Sequence, residues 1–312
     1  MKNAVIVEAK NIVKRYKEKL ILDHLNLEIN EGEIFGLLGP NGSGKTTFIK
    51  CLLGISNYEN GSIKIFDKTM HDTAYEIKRN IGVVMQEVGI YDEFTVYENV
   101  DYFCSLYIKD KNLRKELVYE AIQMLQLQEY MKVYPKKLSG GLLRRLNIAC
   151  GIVHKPKLIV LDEPTIAIDV NLRNNIIEGI KKLNKEGSTI LYTSHYMEEV
   201  EAICTQIAIL NGGKVVARGS KEALIGMIDI GESIRAQVSE ISPEVLRQIK
   251  ALPHIESVRM EGRWLDVKYK KGRNNLITLL ECLSKAGIQI GDISNRAPNL
   301  NDVFMELTGK EL

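Results

Sequence analysis

A glycine-rich stretch that directly follows a short apolar run most constrains the fold of this chain. The run is Ile34-Phe35-Gly36-Leu37-Leu38, and the stretch after it is Gly39-Pro40-Asn41-Gly42-Ser43-Gly44-Lys45-Thr46-Thr47. A G-x-x-x-x-G-K-T motif between a predicted strand and a predicted helix is typical of a phosphate-binding loop. Its glycines let backbone N–H groups curl around an anion, and the helix start adds a positive dipole. The stretch therefore predicts an α/β fold that binds a polyphosphate, rather than a glycine turn that only connects two elements.

The end of this loop carries the residues with the most specific predicted chemistry. Lys45 pairs with the β- and γ-phosphates, and the hydroxyl of Thr46 ligates Mg²⁺. Thr47 hydrogen-bonds a neighbouring phosphate oxygen. The loop thus predicts that Mg²⁺ binds together with the polyphosphate.

Composition argues against several other classes of protein. The 42 Lys and Arg nearly balance the 40 Asp and Glu, so no nucleic-acid partner is expected. The five cysteines are scattered without a C-x-x-C pair, which argues against disulfides or zinc and predicts small core residues. No apolar run reaches about 18 residues, so the chain is not expected to span a membrane by itself. Its 312 residues allow about two domains.

Three further apolar runs end on polar side chains. The polar residues are Gln86, which follows residues 81–85, Asp162 and Glu163, which follow residues 158–161, and His195, which follows residues 189–194. The carboxyl ends of strands in an open α/β sheet face the crevice in which ligands bind. We therefore predict that these side chains lie at the polyphosphate site.

Each of these strand-end residues has a predicted role. Asp162 holds the Mg²⁺ shell, and Glu163 polarises the attacking water, which is worth about 10²–10⁴ in rate. Gln86 reaches Mg²⁺ or the attacking water, and His195 hydrogen-bonds the γ-phosphate. A solvated strand end is the alternative for the two acids, but four aliphatic residues precede them in a chain that already has a phosphate loop.

Two other segments offer contacts to a nucleotide. Tyr16, near the end of a predicted edge strand, either stacks on a base or is a half-buried strand residue; the segment alone favours the second. Ser139 is a good N-cap, and Gly140 and Gly141 expose the first N–H groups of the helix that follows. This is a second anion-binding helix start in the same chain.

Residues 87–155 are predicted to be mainly helical. Thr95 and Glu98 have the spacing of a capping box, and apolar residues then recur at helical intervals. Asp169 opens another predicted helix, which continues through Leu183.

Residues 4 to about 220 resemble the nucleotide-binding domain of an ATP-binding cassette (ABC) transporter. The matching motifs, in the order of the family, are the adenine-stacking Tyr16, the Walker A loop Gly39 to Thr46, the Q-loop Gln86, the signature Leu138-Ser139-Gly140-Gly141, the Walker B end Asp162-Glu163, the D-loop Asp169 and the switch His195. Two positions depart from the family pattern, Leu142 where the signature has Gln and Ala167 where the D-loop often has Gly. Neither departure removes a phosphate-contacting group, so ATPase activity is expected.

This resemblance implies a fold and a mechanism. The fold is that of a P-loop NTPase with a RecA-like core, an antiparallel β subdomain and a helical subdomain at about 87–155. Two such domains sandwich two ATP molecules head to tail, so a homodimer or a pair with a similar ATPase subunit is implied. A transmembrane partner supplies the substrate path, which places this chain on the cytoplasmic side of the cell membrane, peripheral through its partner.

Residues 221–312 are predicted to form an accessory α+β domain. Strands at 234–238, 255–260, 265–269 and 288–290, with helices from Pro243 and at 275–286, give the β-α-β-β-α-β order of a ferredoxin-like module. Residues 298–309 have apolar residues at helical spacing and a final Gly. This tail is similar to that of ATPase subunits of ABC-2-type exporters, the group that includes drug, antibiotic and polysaccharide efflux systems.

Two alternatives to an exporter ATPase follow from the same motifs. A soluble ABC ATPase would carry two cassettes or a long coiled coil between Lys45 and Ser139, and this chain has neither. An importer ATPase usually has a β-rich C-terminal domain, whereas the tail here is predicted to be helical. The sequence names neither the substrate nor the permease.

Overall fold

The computed structural model describes residues 4–166, 168, 170–270 and 275–309. Within them the chain divides into two units, of which the first ends at Lys221 and the second begins at Glu222. Asp169 and Ala167, both named above as D-loop residues, lie outside the described residues.

The first unit alternates strands and helices along the chain. Its elements are β1 (Val5–Tyr16), β2 (Lys19–Asn30), β3 (Ile34–Leu38), α1 (Lys45–Leu52), β4 (Asn60–Ile65), β5 (Lys68–Thr69), α2 (Tyr75–Lys78), β6 (Ile81–Val84), α3 (Val96–Ser105), α4 (Lys111–Met124), α5 (Gly140–Ile152), β7 (Leu158–Asp162), α6 (Val170–Lys185), β8 (Thr189–Thr193), α7 (Met197–Ile203), β9 (Gln206–Asn211) and β10 (Lys214–Gly219). Two short 3-10 helices, Gln128–Tyr130 and Pro135–Lys137, precede α5, and α8 (Lys221–Met227) contains the boundary between the units.

A long antiparallel hairpin opens the chain. The alternation of apolar and polar residues over 4–38 predicts short strands here, with Leu25, Leu27 and Ile29 on one face. The prediction was wrong in length, because β1 and β2 are each 12 residues long. They belong to a four-stranded sheet with the order β2-β1-β4-β5. The predicted apolar face of β2 is confirmed, because Leu25, Leu27 and Ile29 are all buried.

The central sheet brings the predicted polar strand ends to one edge. Its order is β10-β9-β3-β8-β7-β6, and all of its strands except β10 run parallel. Every residue of β3, β7 and β8 is buried, as expected of parallel strands covered on both faces. β6 and β8 end at Val84 and Thr193. Gln86 and His195 therefore lie on the loops that follow, whereas the prediction had placed them at the ends of the strands.

The segment between β6 and β7 is mainly helical, as predicted. The capping box of α3 is confirmed: the Glu98 N–H donates to Thr95 Oγ1 at 3.3 Å, and the Thr95 N–H donates to the Glu98 carboxylate at 2.8 Å. α5 packs on α3, α4 and β6. In the part of the chain that the structure describes, no helix has the length and apolar composition needed to cross a bilayer.

The second unit has the predicted β-α-β-β-α-β order and one further helix. Its elements are β11 (Ile230–Val238), α9 (Pro243–Lys250), β12 (Ile255–Glu261), β13 (Trp264–Lys270), α10 (Leu276–Lys285), β14 (Ile290–Arg296) and α11 (Leu300–Thr308). The sheet order is β12-β13-β11-β14, and all neighbours are antiparallel. The last strand runs to Arg296, so the strand predicted at 288–290 was too early and too short. Gly309 ends α11 with a φ of 66°, which is the expected glycine stop.

The cysteines are free thiols, in agreement with their scattered spacing. Cys51, Cys104 and Cys150 are buried, and Cys204 and Cys282 are partly buried. Burial raises the pKa of Cys104 to about 11, so this side chain stays neutral and packs as a small apolar group.

Candidate functional site

The loop between β3 and α1 has a backbone that only glycine adopts without strain. Gly42 and Gly44 have φ values of 79° and 111°, in the left-handed region. A Cβ at Gly39 would collide with Ser43 Oγ and would lie 2.5 Å from the Leu210 carbonyl oxygen. The glycines of the motif are therefore required by the loop's geometry.

The Lys45 ammonium lies buried beside this loop. It is only 6% exposed and donates a hydrogen bond to the Gly39 carbonyl oxygen at 2.6 Å. Burial lowers the pKa of Lys45, and the carboxylates of Glu163 and Asp162 partly oppose that change. Because a desolvated ammonium interacts strongly with an anion, this arrangement favours a phosphate at the loop.

Asp162 joins the loop to the end of β7. Its carboxylate is buried and accepts hydrogen bonds from Thr46 Oγ1 at 2.9 Å and from Thr193 Oγ1 at 2.8 Å. Thr193, the last residue of β8, was not singled out from the sequence, because one threonine in an apolar strand gives no signal. Its hydroxyl also accepts a hydrogen bond from the Glu163 N–H at 2.9 Å.

Glu163 and His195 face one another across the strand ends. The distance from His195 Nδ1 to Glu163 Oε2 is 3.3 Å, and the Glu163 side chain is 12% exposed. Glu163 has a φ of 50°, in the left-handed region, which costs a non-glycine residue about 1–3 kcal/mol. Such strain is typical of functional sites in which neighbouring groups fix the backbone.

A buried carboxylate behind these residues links the segments that carry them. Glu199 on α7 accepts hydrogen bonds from Thr165 Oγ1 at 2.9 Å and from Ser194 Oγ at 2.6 Å. It also lies 3.2 Å from Arg173 Nε on α6. Sequence analysis did not single out Glu199, because a glutamate among other acidic residues gives no signal of burial. The contact couples the loop after Glu163 to the loop that carries His195.

The cavity at these strand ends has a volume of about 520 Å³. Its lining consists of Lys19, Ile21, Asn41, Gly42, Ser43, Gly44, Lys45, Thr46, Thr47, Gln86, Glu163, Ile166 and His195. The structure therefore brings the loop together with three of the four predicted strand-end residues at one cavity. The fourth, Asp162, is hydrogen-bonded to Thr46 of the loop. This volume suits a ligand of nucleotide size.

Other predicted contact residues are not among those that line this cavity. Tyr16 is 47% exposed at the end of β1, with Lys14 Nζ 5.0 Å from the centre of its ring. Ser139, Gly140 and Gly141 form the start of α5, where Ser139 Oγ accepts from the Leu142 N–H at 3.4 Å. These signature residues do not line the cavity of their own chain.

The donor set beside the loop fits Mg²⁺. The Thr46 hydroxyl and the Asp162 carboxylate are hard oxygen donors in direct contact, and the Gln86 amide lines the same cavity. Mg²⁺ at nucleotide sites takes one or two protein oxygens and completes its octahedron with phosphate and water.

Comparison with known proteins extends over both units. Residues 22–166 match the family model described as ABC transporter. The chain is 34% identical over 309 residues to the linearmycin resistance ATP-binding protein LnrL of Bacillus subtilis, covering 98% of this chain and 99% of that protein. It is 33% identical over 313 residues to Nod factor export ATP-binding protein I of Sinorhizobium fredii, covering 100% of this chain and 88% of that protein.

A solved structure is similar in fold to the cassette part. The dimeric ATP-binding cassette MJ0796, in a post-hydrolysis state bound to ADP and Pi, aligns with a TM-score of 0.64 and 28% identity. The alignment covers 69% of this chain and 98% of that chain. The predicted P-loop NTPase fold is confirmed. The chain thus belongs to the ABC transporter family, as an ATP-binding protein whose cassette hydrolyses ATP.

Proposed function

We propose that this chain is the ATPase subunit of an exporter, and that two cassettes close around two ATP molecules to drive a separate ABC-2-type permease. The observation that carries the proposal is the convergence of the phosphate loop with Glu163 and His195 at one cavity, with Asp162 hydrogen-bonded to Thr46 of that loop. Resistance and Nod factor export, named in the relatives, support an exporter. The transported substrate stays open.

The phosphate loop and the residues beside it hold the nucleotide in this proposal. Lys45 and the loop N–H groups bind the β- and γ-phosphates, and Thr47 binds a neighbouring phosphate oxygen. Thr46, Asp162 and Gln86 hold Mg²⁺, which neutralises phosphate charge when bound. Tyr16 stacks on the adenine, for which its exposed ring is suited.

Glu163 removes the proton from the attacking water in this mechanism. Its carboxylate lines the cavity beside the loop, and its contact with His195 Nδ1 limits the orientations of both side chains. Gln86 orients the same water or completes the Mg²⁺ shell, and His195 hydrogen-bonds the γ-phosphate through its other ring nitrogen. A positioned general base of this kind is worth about 10²–10⁴ in rate.

Dimerisation completes the site in this proposal. Ser139, Gly140 and Gly141 lie outside the cavity of their own chain, at the start of α5. A helix start binds an anion through its N–H groups, so these residues are suited to the γ-phosphate bound by a second subunit. Asp169 would contribute at the same interface. The second subunit is either a copy of this chain or a similar ATPase.

The permease is proposed to dock on the segment after Gln86, at residues 87–99. The rings of Tyr91 and Phe94 lie 5.3 Å apart, and Tyr91 is 44% exposed, which leaves apolar area for a partner helix. This contact would hold the chain on the cytoplasmic face of the cell membrane. Residues 221–312 are proposed as an accessory domain that stabilises or regulates the dimer.

The first experiment compares the full-length wild type with Glu163→Gln in the presence of ATP and Mg²⁺. We expect the variant to lose about 10²–10⁴ in ATPase rate and to accumulate as an ATP-bound dimer, because binding persists without hydrolysis. Exposed Glu129, replaced by Gln, is the matched control and should leave both properties unchanged. Normal hydrolysis by Glu163→Gln, or no dimer with ATP, would refute the mechanism.

A further inference from the structure

Arg144 connects the loop that carries Gln86 to the loop that carries Glu163. It lies in the second turn of α5 and is 4% exposed. Its guanidinium donates to five backbone carbonyl oxygens: from Nη1 to Met85 (2.6 Å) and Gln86 (2.9 Å), from Nη2 to Asp162 (2.9 Å) and Glu163 (2.7 Å), and from Nε to Pro164 (3.0 Å). One side chain thus fixes the backbone of two loops that lie side by side in the sheet.

The bond to Glu163 acts on a strained residue. The N–H of Glu163 donates to Thr193 Oγ1 and its carbonyl accepts from Arg144, so both backbone groups are held while φ is 50°. A left-handed non-glycine backbone persists only where its surroundings impose it. Without the guanidinium, the Glu163 carbonyl loses its 2.7 Å hydrogen bond and keeps the longer one of 3.5 Å from the Ile166 N–H.

Arg144 also connects these two loops to the helix that carries the signature residues. Arg144 belongs to α5, whose first residues Gly140 and Gly141 follow the N-cap Ser139. In the proposed dimer this end of α5 meets the nucleotide of the second subunit. A shift of α5 would therefore be transmitted by Arg144 to Gln86 and Glu163 in its own site.

We propose that Arg144 is a positioning residue. It holds the loops that carry Gln86 and Glu163 in fixed positions relative to each other and to the N-terminus of α5, where the signature residues lie. This inference rests on the proposed function, because Gln86 and Glu163 act on ATP only if that proposal holds. A planar guanidinium with five N–H donors suits this task, whereas an ammonium has three donors on a single atom.

Arg145 provides a matched control within the same helix. It is 7% exposed, and its Nη1 donates to the carbonyl oxygens of Leu125 and Gln126, both at 3.1 Å. The two arginines share residue type, helix and burial, but these bonds of Arg145 go to the end of α4, whereas those of Arg144 go to the loops of Gln86 and Glu163. If the loss of buried hydrogen bonds were enough to lower the ATPase rate, substitution of either arginine would lower it.

The test uses full-length Arg144→Lys and Arg145→Lys in two measurements. Hydrogen–deuterium exchange without nucleotide reports local opening of the backbone. We expect Arg144→Lys to speed exchange at 85–90 and 163–166, and Arg145→Lys to speed it at 125–131 instead. We also expect Arg144→Lys to lower kcat about 10–100-fold with the KM for ATP within about threefold of the wild type, since Lys45 and the loop are unchanged.

Several outcomes would overturn the inference. These are unchanged exchange at both loops, wild-type kcat in Arg144→Lys, or an equal loss of kcat in Arg145→Lys. If Arg144→Lys does not fold, Arg144→Gln, which leaves no buried charge behind, takes its place under the same criteria. A wild type without ATPase activity would refute the proposed function, and the exchange data would still decide whether Arg144 ties the loops together.

Discussion

The two units each contain a buried aspartate, Asp162 at the end of β7 and Asp302 in the first turn of α11, and the two are used differently. Asp162 accepts hydrogen bonds from two neutral hydroxyls, those of Thr46 and Thr193. Asp302 accepts from two cations instead, Lys268 Nζ at 2.7 Å and Arg296 Nη2 at 3.2 Å. It also accepts from the Asn299 N–H at 3.0 Å and so caps α11.

The difference lies in the side chains that bond to each acid: cations bond to Asp302, and neutral hydroxyls bond to Asp162. Burial raises the pKa of Asp302, but the hydrogen bond from Lys268 and the other contacts outweigh that effect, so its pKa is lowered. Its charge is balanced within the fold. The hydroxyls that donate to Asp162 carry no charge, and a divalent cation would pair with this carboxylate in addition to the Lys45 ammonium that already interacts with it. Parallel strands also bring several such groups to one edge, whereas the strands of the second unit alternate in direction.

The largest expected effect is that of Asp162→Asn. Removing this charge should lower the Mg²⁺-dependent ATPase rate about 10²–10³-fold, because a preorganised charge at the phosphates is lost. The folded state should not be weakened, since a desolvated carboxylate is replaced by an isosteric amide. Titration of activity with Mg²⁺ and a denaturant melt measure the two effects. A wild-type Mg²⁺ response would contradict the role given to Asp162.

Lys45→Met should have the next largest effect. We expect ATP affinity to fall about 10–100-fold, because a charge-assisted bond to phosphate is lost. Stability should stay the same or rise, since burial already disfavours the charged ammonium, as its lowered pKa indicates. Equilibrium binding of ATP and a thermal melt test this pair of effects. Lys50→Met, at a partly buried position on the same helix, is the control.

Asp302→Asn should lower stability and leave ATP affinity unchanged, the reverse of what we expect for Lys45→Met. We expect the second unit to lose about 1.5–3 kcal/mol of stability, because hydrogen bonds to charged groups of Lys268 and Arg296 are weakened. ATP affinity should remain that of the wild type. Hydrogen exchange across α11 and nucleotide binding measure these effects, with exposed Asp292→Asn as control. A large drop in ATP affinity would show that the comparison between the two aspartates is wrong.

The smallest effect concerns acid stability. Burial lowers the pKa of His154, which is stacked at 3.7 Å on Tyr107, from 6.5 to about 4. The unfolded chain then binds the proton more tightly, so the first unit loses stability as pH falls from 6.5 to 4, by about 2 kcal/mol near pH 5. His154→Phe keeps a stacked ring and should remove this slope in denaturant titrations.

Asp302 should respond in a different pH window. Its folded pKa is lowered from 3.8, so its contribution is present above 3.8 and is lost only as pH falls through the lower folded value. The second unit should therefore keep this contribution between pH 6.5 and 4, where the first unit loses that of His154. Exchange rates of each unit as a function of pH would separate the two.

Local patterns predicted much of the fold and most of the cavity. The phosphate loop, the capping box at Thr95 and the N-cap at Ser242 depend on neighbouring residues, so sequence reveals them. The last strand of the second unit was misplaced because six of its seven residues are exposed, and no apolar alternation marks them. Register shifts in the first hairpin likewise interrupt alternation and hid the length of its strands.

The sequence by itself determined which residues are candidates to bind phosphate and Mg²⁺, because the loop, its lysine and the acids after a buried strand are contiguous signals. Only the tertiary structure decided which backbone groups those residues rely on. Thr193 reaches Asp162 across 31 positions, and Arg144 reaches Gln86 across 58. Such contacts depend on strand order and on how α5 packs against β6, and no local periodicity encodes either. The same packing directs the guanidinium of Arg144 to the Glu163 carbonyl oxygen and that of Arg145 to the Leu125 carbonyl oxygen, although the two arginines are adjacent in one helix.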